Sequence, residues 1–210
     1  MAFPREYAEW NNNWWEEAGN FEARRVLLIG DSITNGYRND VQNALRGDGI
    51  LVDKLCGSRC AGDPMLTAEI ELALGPLNGY TYQAVHFNNG LHGGCNDTHV
   101  SLETYRRGIE TLCGVITRLQ PSAVLILATS TPMTRKGAPA GTVDEAFNAF
   151  VLERNAFLRA YAAENGLVLD DLYALTAGDP TFPQPDGVHF DADGFTRLGE
   201  AVARHIRTVL

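Results

Sequence analysis

Short runs rich in Val, Ile and Leu, each too brief for a core helix, alternate along the chain with longer segments whose apolar residues recur at helical spacing. That alternation constrains the fold more than any other feature. A strand, a covering helix and a second parallel strand pack as a right-handed crossover, and repeated units build one sheet with helices on both faces. The strands predicted this way are 25–29, 50–55, 84–87, 123–128 and 167–169, five in all. Most read as continuous aliphatic runs, as strands covered on both faces should.

Between them the helices are marked by period and by caps. Ser101 is a candidate N-cap for a helix carrying Leu102, Tyr105, Ile109, Leu112, Ile116 and Leu119 on one face. A second helix is expected over 143–165, with Phe147, Phe150, Arg154, Phe157 and Tyr161 along one stripe and Asn165-Gly166 as its stop. The last begins near Asp193 and uses Phe195, Leu198, Val202 and Ile206, and Asp63-Pro64 opens another. The longest loop candidate, 131–142, follows a strand's carboxyl end, where open α/β sheets bind ligands.

At 210 residues with 45% hydrophobic content, residues 24–210 fit one domain, preceded by an arm over 1–23. Seventeen basic against 26 acidic residues leave a net charge of −9, which repels phosphate backbones and anionic lipid. Neither nucleic acid nor membrane is therefore an expected partner. No apolar run approaches the ~18 residues of a membrane span, and the first residues lack the order of a signal peptide, so a soluble, cytoplasmic chain is the expectation. Trp10, Trp14 and Trp15, interleaved with Asn11, Asn12 and Asn13, read as an arm docked on the sheet's edge by its rings, or else as a sugar-stacking platform. Cys56, Cys60, Cys95 and Cys113 form no C-x-x-C pair and are expected as reduced thiols.

Two segments carry the chemistry. The first strand, RRVLLIG, empties into Asp31-Ser32-Ile33-Thr34, which holds a serine hydroxyl at the ligand edge of the sheet beside backbone N–H groups. A serine there could equally be only a helix N-cap. Near the other end, Asp186-Gly187-Val188-His189 supplies an imidazole to take a serine proton and a carboxylate, one short turn away, to fix its tautomer. Alone, this would read as a turn under the final helix. Together the two segments point to a Ser32, His189, Asp186 triad.

With GDSIT at one end and DGVH at the other, the chain from about Arg24 onward resembles the SGNH, or GDSL, hydrolases. The resemblance implies a flavodoxin-like, three-layer α/β/α fold with a five-stranded parallel sheet, hydrolysis of esters by a serine nucleophile, no cofactor, and an oxyanion hole assembled from three blocks. Ser32 would supply one N–H. The third block departs from the usual Gly-x-Asn-Asp: in Asn88-Asn89-Gly90-Leu91-His92-Gly93, Asn88 aligns with the oxyanion asparagine and Asn89 is the fallback. The second block, 56–64, leaves the backbone donor between Ser58 and Gly62, with Ser58 preferred. Asp31, Asn89 and His92 are the candidates for touching substrate.

His92, Cys95, Asp97 and His99 form a dense set of possible metal ligands in HGGCNDTH, but their spacing matches no closed zinc site, and a polar loop beside the active site is the favoured reading. Asn96-Asp97-Thr98 fits a glycosylation sequon that would be idle in a cytoplasmic chain. Arg135 and Lys136 could meet an anionic substrate, or simply be solvated. The favoured partner is a small ester, acetyl groups on sugars first, then short acyl esters or thioesters. Rivals are a silent ligand-binding relative, a thioesterase or lysophospholipase of the same family, and a phosphate-binding module.

Overall fold

The computed structural model describes residues 3–94 and 99–210. Six strands form one sheet: β1 (Asn11–Trp14), β2 (Arg24–Gly30), β3 (Ile50–Gly57), β4 (Ala84–Asn88), β5 (Val124–Ala128) and β6 (Val168–Asp170). Their spatial order is β1-β3-β2-β4-β5-β6. From β3 to β6 every pairing is parallel, and those five strands have the flavodoxin-like order. The sixth corrects the expected count. β1 runs antiparallel to β3, Asn11 opposite Gly57 and Asn13 opposite Leu55. A strand reading Asn-Asn-Asn-Trp has no apolar alternation to reveal it, because an edge strand is held by its ladder rather than by its side chains. The arm is thus docked by its backbone. Trp15 packs on the core, while Trp10 and Trp14 stay exposed.

Among the described residues six helices cover the sheet: α1 (Ser32–Arg46), α2 (Pro64–Leu74), α3 (Leu102–Leu119), α4 (Ala149–Asn165), α5 (Leu172–Thr176) and α6 (Ala192–Arg207). On one face Leu27, Val85, Phe87 and Leu127 pack with Ile70 of α2 and Ile109 and Ile116 of α3. On the other, Val26, Leu28 and Ile126 pack with Tyr37 and Val41 of α1 and Leu198, Val202 and Ile206 of α6. Both Leu27 and Leu28 are fully buried, each contributing about 2 kcal/mol of transfer energy to its own face. The α1–α6 contact depends on Gly199, where a Cβ would sit 2.5 Å from the Asp40 Cβ and 2.9 Å from the Tyr37 carbonyl oxygen.

The caps follow the sequence reading. The Ser101 hydroxyl accepts from Thr104 N–H at 3.2 Å, Asp63 from Met65 N–H at 2.8 Å, and Gly166 turns left-handed at φ 63° to end α4. α4 starts later than expected, at Ala149. Residues just before it form turns, in which Asp144 accepts from Phe147 N–H and the Asn148 amide bonds both the N–H and the C=O of Met133, at 2.7 Å each. These bonds hold the long loop after β5 against the sheet. The carboxyl ends of β2, β4 and β5 consequently share one edge, with residues 31–32, 88–93 and 129–134 leaving it side by side.

Candidate active site

Ser32 is the first residue of α1, two residues beyond the end of β2. Its Oγ lies 2.7 Å from His189 Nε2, and His189 Nδ1 lies 2.7 Å from Asp186 Oδ2. Since a carboxylate accepts, Nδ1 carries the proton in the neutral ring, and the Nε2 lone pair faces the serine. The other oxygen of Asp186 accepts from the N–H groups of Val188 and His189, at 2.9 and 2.7 Å, which sets the turn that presents the ring. Burial works to raise the Asp186 carboxyl, but the His189 ring and these two N–H groups outweigh it and hold it at about 2.

The turn is braced from the loop after β5. Thr134 N–H donates to Gly187 O at 2.7 Å, and Gln184 Nε2 donates to Pro132 O and Val188 O at 2.7 and 2.8 Å. Gly187 has φ 92°, and a Cβ there would lie 2.4 Å from Thr134 O, so only glycine passes this close. Arg135, expected as a possible substrate contact, instead pairs with Asp144 and lies over Phe147.

The structure redistributes the expected oxyanion and substrate groups. Asn88 Nδ2 donates to Thr129 O at 2.9 Å and Ala128 O at 3.3 Å, which ties the amide to the end of β5 and the residue after it. Asn89 accepts from Ala61 N–H through Oδ1 and donates to Arg59 O through Nδ2, both at 2.8 Å, leaving one amide hydrogen unspent among the described residues. Adjacent side chains leaving a strand point to opposite sides, so two consecutive asparagines cannot be told apart by composition. Ser58 is also committed: its N–H donates to Trp10 O at 3.1 Å, and its hydroxyl accepts from Trp10 N–H at 3.0 Å. That extends the β1 ladder, an element the sequence did not reveal. The Gly62 amide backs onto α3, where a Cβ on Gly108 would fall 2.1 Å from it.

Asp31, expected to touch substrate, is buried and caps α1, with Oδ1 accepting from Ile33 N–H at 2.9 Å. Its Oδ2 is buried with no hydrogen-bond partner among the described residues. Burial raises this carboxyl, while the nearby His92 and His189 rings and the Ile33 and Thr34 N–H groups pull it back. A buried carboxylate on these N–H groups also argues against a phosphate cradle. His92 meets Glu6 of the arm, Nδ1 to Oε1 at 2.8 Å. Cys95, Asp97 and the sequon Asn96-Asp97-Thr98 lie outside the described residues. Cys56 and Cys113 are thiols pushed up to about 12 by burial, too high for a nucleophile.

Arg154, in the predicted stripe of α4, is buried. Its guanidinium is buried between Tyr105 and Phe150, and it donates to Gly90 O, His92 O and Gly93 O at 2.8 Å and to Val100 O at 3.3 Å. One cation therefore fixes the course of the loop leaving β4. The clue in the sequence was a lone arginine in an otherwise aromatic stripe.

A model of the GDSL-like lipase/acylhydrolase family matches residues 28–197, from β2 into α6. The chain belongs to that family. Members share the α/β fold, and solved structures bear out the likeness. A carbohydrate acetylesterase from Sinorhizobium meliloti is 17% identical, with 89% of this chain and 100% of that one covered at a TM-score of 0.68. The inhibitor-bound aryl esterase of M. smegmatis is 16% identical, with 90% and 100% covered and a TM-score of 0.71. A catalytic mutant of an acetylxylan esterase from Geobacillus stearothermophilus is 19% identical, with 87% and 94% covered and a TM-score of 0.68. A search of curated proteins gave no match. As a GDSL-like acylhydrolase the chain is an esterase by family, and its structural neighbours are carboxylic ester hydrolases. Among the described residues, no helix is long and apolar enough to cross a membrane.

Proposed function

We propose that this GDSL-like esterase cleaves small, polar carboxylic esters, acetyl esters of hydroxyl-rich alcohols first, through an acyl-Ser32 intermediate. The observation that carries the reading is the unbroken relay from Asp186 Oδ2 to His189 to Ser32 Oγ, 2.7 Å at each step. His189 Nε2 takes the Ser32 proton as Oγ attacks the ester carbonyl, and Asp186 stabilises the imidazolium that forms. The tetrahedral oxyanion is met by the Ser32 N–H, one of the first N–H groups of α1 without an intrahelical acceptor, and by the unspent amide hydrogen of Asn89. Collapse breaks the C–O bond to the alcohol, which leaves with the proton from His189. Water then repeats the attack on the acyl-enzyme, gives its proton to His189, and releases the carboxylic acid and free Ser32.

Acetyl esters are favoured by an acidic chain with no long apolar lid among the described residues, and by an open triad, whose His189 and Asp186 side chains are 44% and 52% exposed. Two of the similar structures are named for acetyl esters of carbohydrate or xylan. The test is a p-nitrophenyl ester series from acetyl to octanoyl, with wild type beside Ser32→Ala. Activity that falls with acyl length and drops roughly 10⁴-fold or more in the variant supports the reading. Activity that survives in Ser32→Ala overturns the mechanism, a profile rising with acyl length overturns the substrate class, and an inert wild type favours a silent ligand-binding relative.

A further inference from the structure

The N-terminal arm carries one carboxylate onto the loop leaving β4. Glu6 accepts from His92 Nδ1 at 2.8 Å and from Gly93 N–H at 3.4 Å, and the two side chains are only 11% and 14% exposed. The backbone beneath His92 is immobilised by Arg154, which takes the carbonyls of Gly90, His92 and Gly93. Among the described residues His92 Nε2 makes no hydrogen bond. The loop that carries His92 leaves β4 next to the segment that leads into Ser32, because β4 pairs with β2 up to Phe87 opposite Ile29. Two carboxylate-bound imidazoles, His189 on Ser32 and His92 on the loop leaving β4, therefore stand at the carboxyl edge of the sheet. His189 spends Nε2 on the serine, whereas His92 Nε2 is unspent among the described residues.

Resting on the esterase reading above, we infer that His92, oriented by Glu6 of the arm, is a substrate-binding residue whose Nε2 hydrogen-bonds a hydroxyl on the alcohol side of the ester. Glu6 is its positioning residue. With Nδ1 holding its proton toward the carboxylate, neutral Nε2 accepts from such a hydroxyl, and if the ring is protonated Nε2 donates to the same oxygen. A hydroxyl satisfies both states, whereas an aryl leaving group without one gains nothing. The arm is thereby part of the specificity of the site.

The experiment compares p-nitrophenyl acetate, whose alcohol has no second hydroxyl, with glycerol monoacetate, for wild type, Glu6→Gln, His92→Ala and His92→Asn. The asparagine amide can keep the bond to Glu6 and lacks any counterpart of Nε2. His92→Ala and His92→Asn should both lose about tenfold more in kcat/KM on glycerol monoacetate than on p-nitrophenyl acetate, mostly through KM, the worth of one hydrogen bond. Glu6→Gln should show the same selectivity at smaller size. Rescue by His92→Asn would make the contact merely structural and overturn the inference, as would equal losses on both esters. Failure of the esterase reading shows separately, as Ser32→Ala that keeps its activity on p-nitrophenyl acetate.

Discussion

Arg25 and Asp53 form an ion pair fully withdrawn from solvent, with Arg25 Nη1 at 2.9 and 3.0 Å from the two carboxylate oxygens. The pair staples the arm to the sheet. The same guanidinium donates to Glu16 O, Glu17 O and Asn20 O, Asp53 accepts from Glu16 N–H, and Tyr82 OH donates to the other carboxylate oxygen. Burial raises the Asp53 carboxyl despite its partner, as expected where desolvation opposes the attraction. Arg25→Met should therefore cost about 3–5 kcal/mol, because it strands a buried carboxylate and three carbonyls. Urea denaturation gives the loss, and limited proteolysis should show cleavage ahead of β2 first.

The two asparagines leaving β4 separate by assay. Asn89→Ala should lower kcat by about 10²- to 10³-fold, the worth of an oxyanion donor, with KM much less affected. Asn88→Ala removes only the bridge to Thr129 and Ala128, and should cost about 1–3 kcal/mol of stability with turnover largely kept. Steady-state kinetics beside thermal melts of both variants decides, and the reverse assignment would show as the reverse pattern.

Protonation of Asp186 has a defined direction. Its carboxyl is held at about 2 in the fold, below the ordinary carboxylate value of about 3.9. A depressed acid stabilises the folded turn above the unfolded value and loses that contribution as pH falls from about 4 toward 2. An NMR titration of the Asp186 carboxyl should give a midpoint near 2, moving upward in His189→Ala as the ring's hydrogen bond disappears.

Arg154→Leu tests the clamp. It removes donors from four carbonyls in the loop after β4 while leaving Ser32, His189 and Asp186 untouched. A cost of about 3 kcal/mol or more is expected, from buried acceptors left without partners. Hydrogen exchange should rise selectively around residues 90–93 and 99–100, and kcat/KM should fall in proportion to the lost order of that loop.

Within the sequence, whatever depends on local period and local chemistry was already determined. Five parallel strands follow from runs of buried aliphatics, the starts of α2 and α3 from Asp63 and Ser101 as caps, and the Asp186–His189 pairing from a three-residue spacing that a single turn closes. Ser32 is legible because the end of a central strand is a position the fold itself creates.

Tertiary structure alone decided where hydrogen-bond capacity goes once segments distant in sequence meet. Asn88 is drawn to β5, Asn89 to the loop after β3, and Ser58 to Trp10 of an edge strand with no apolar pattern. Arg154 reaches across from α4 to the loop that carries His92, and Glu6 of the arm takes the His92 ring. Side chains of one residue type are interchangeable in a sequence, and become distinct only when each buried donor must find an acceptor within about 3 Å, a condition set by packing rather than by period.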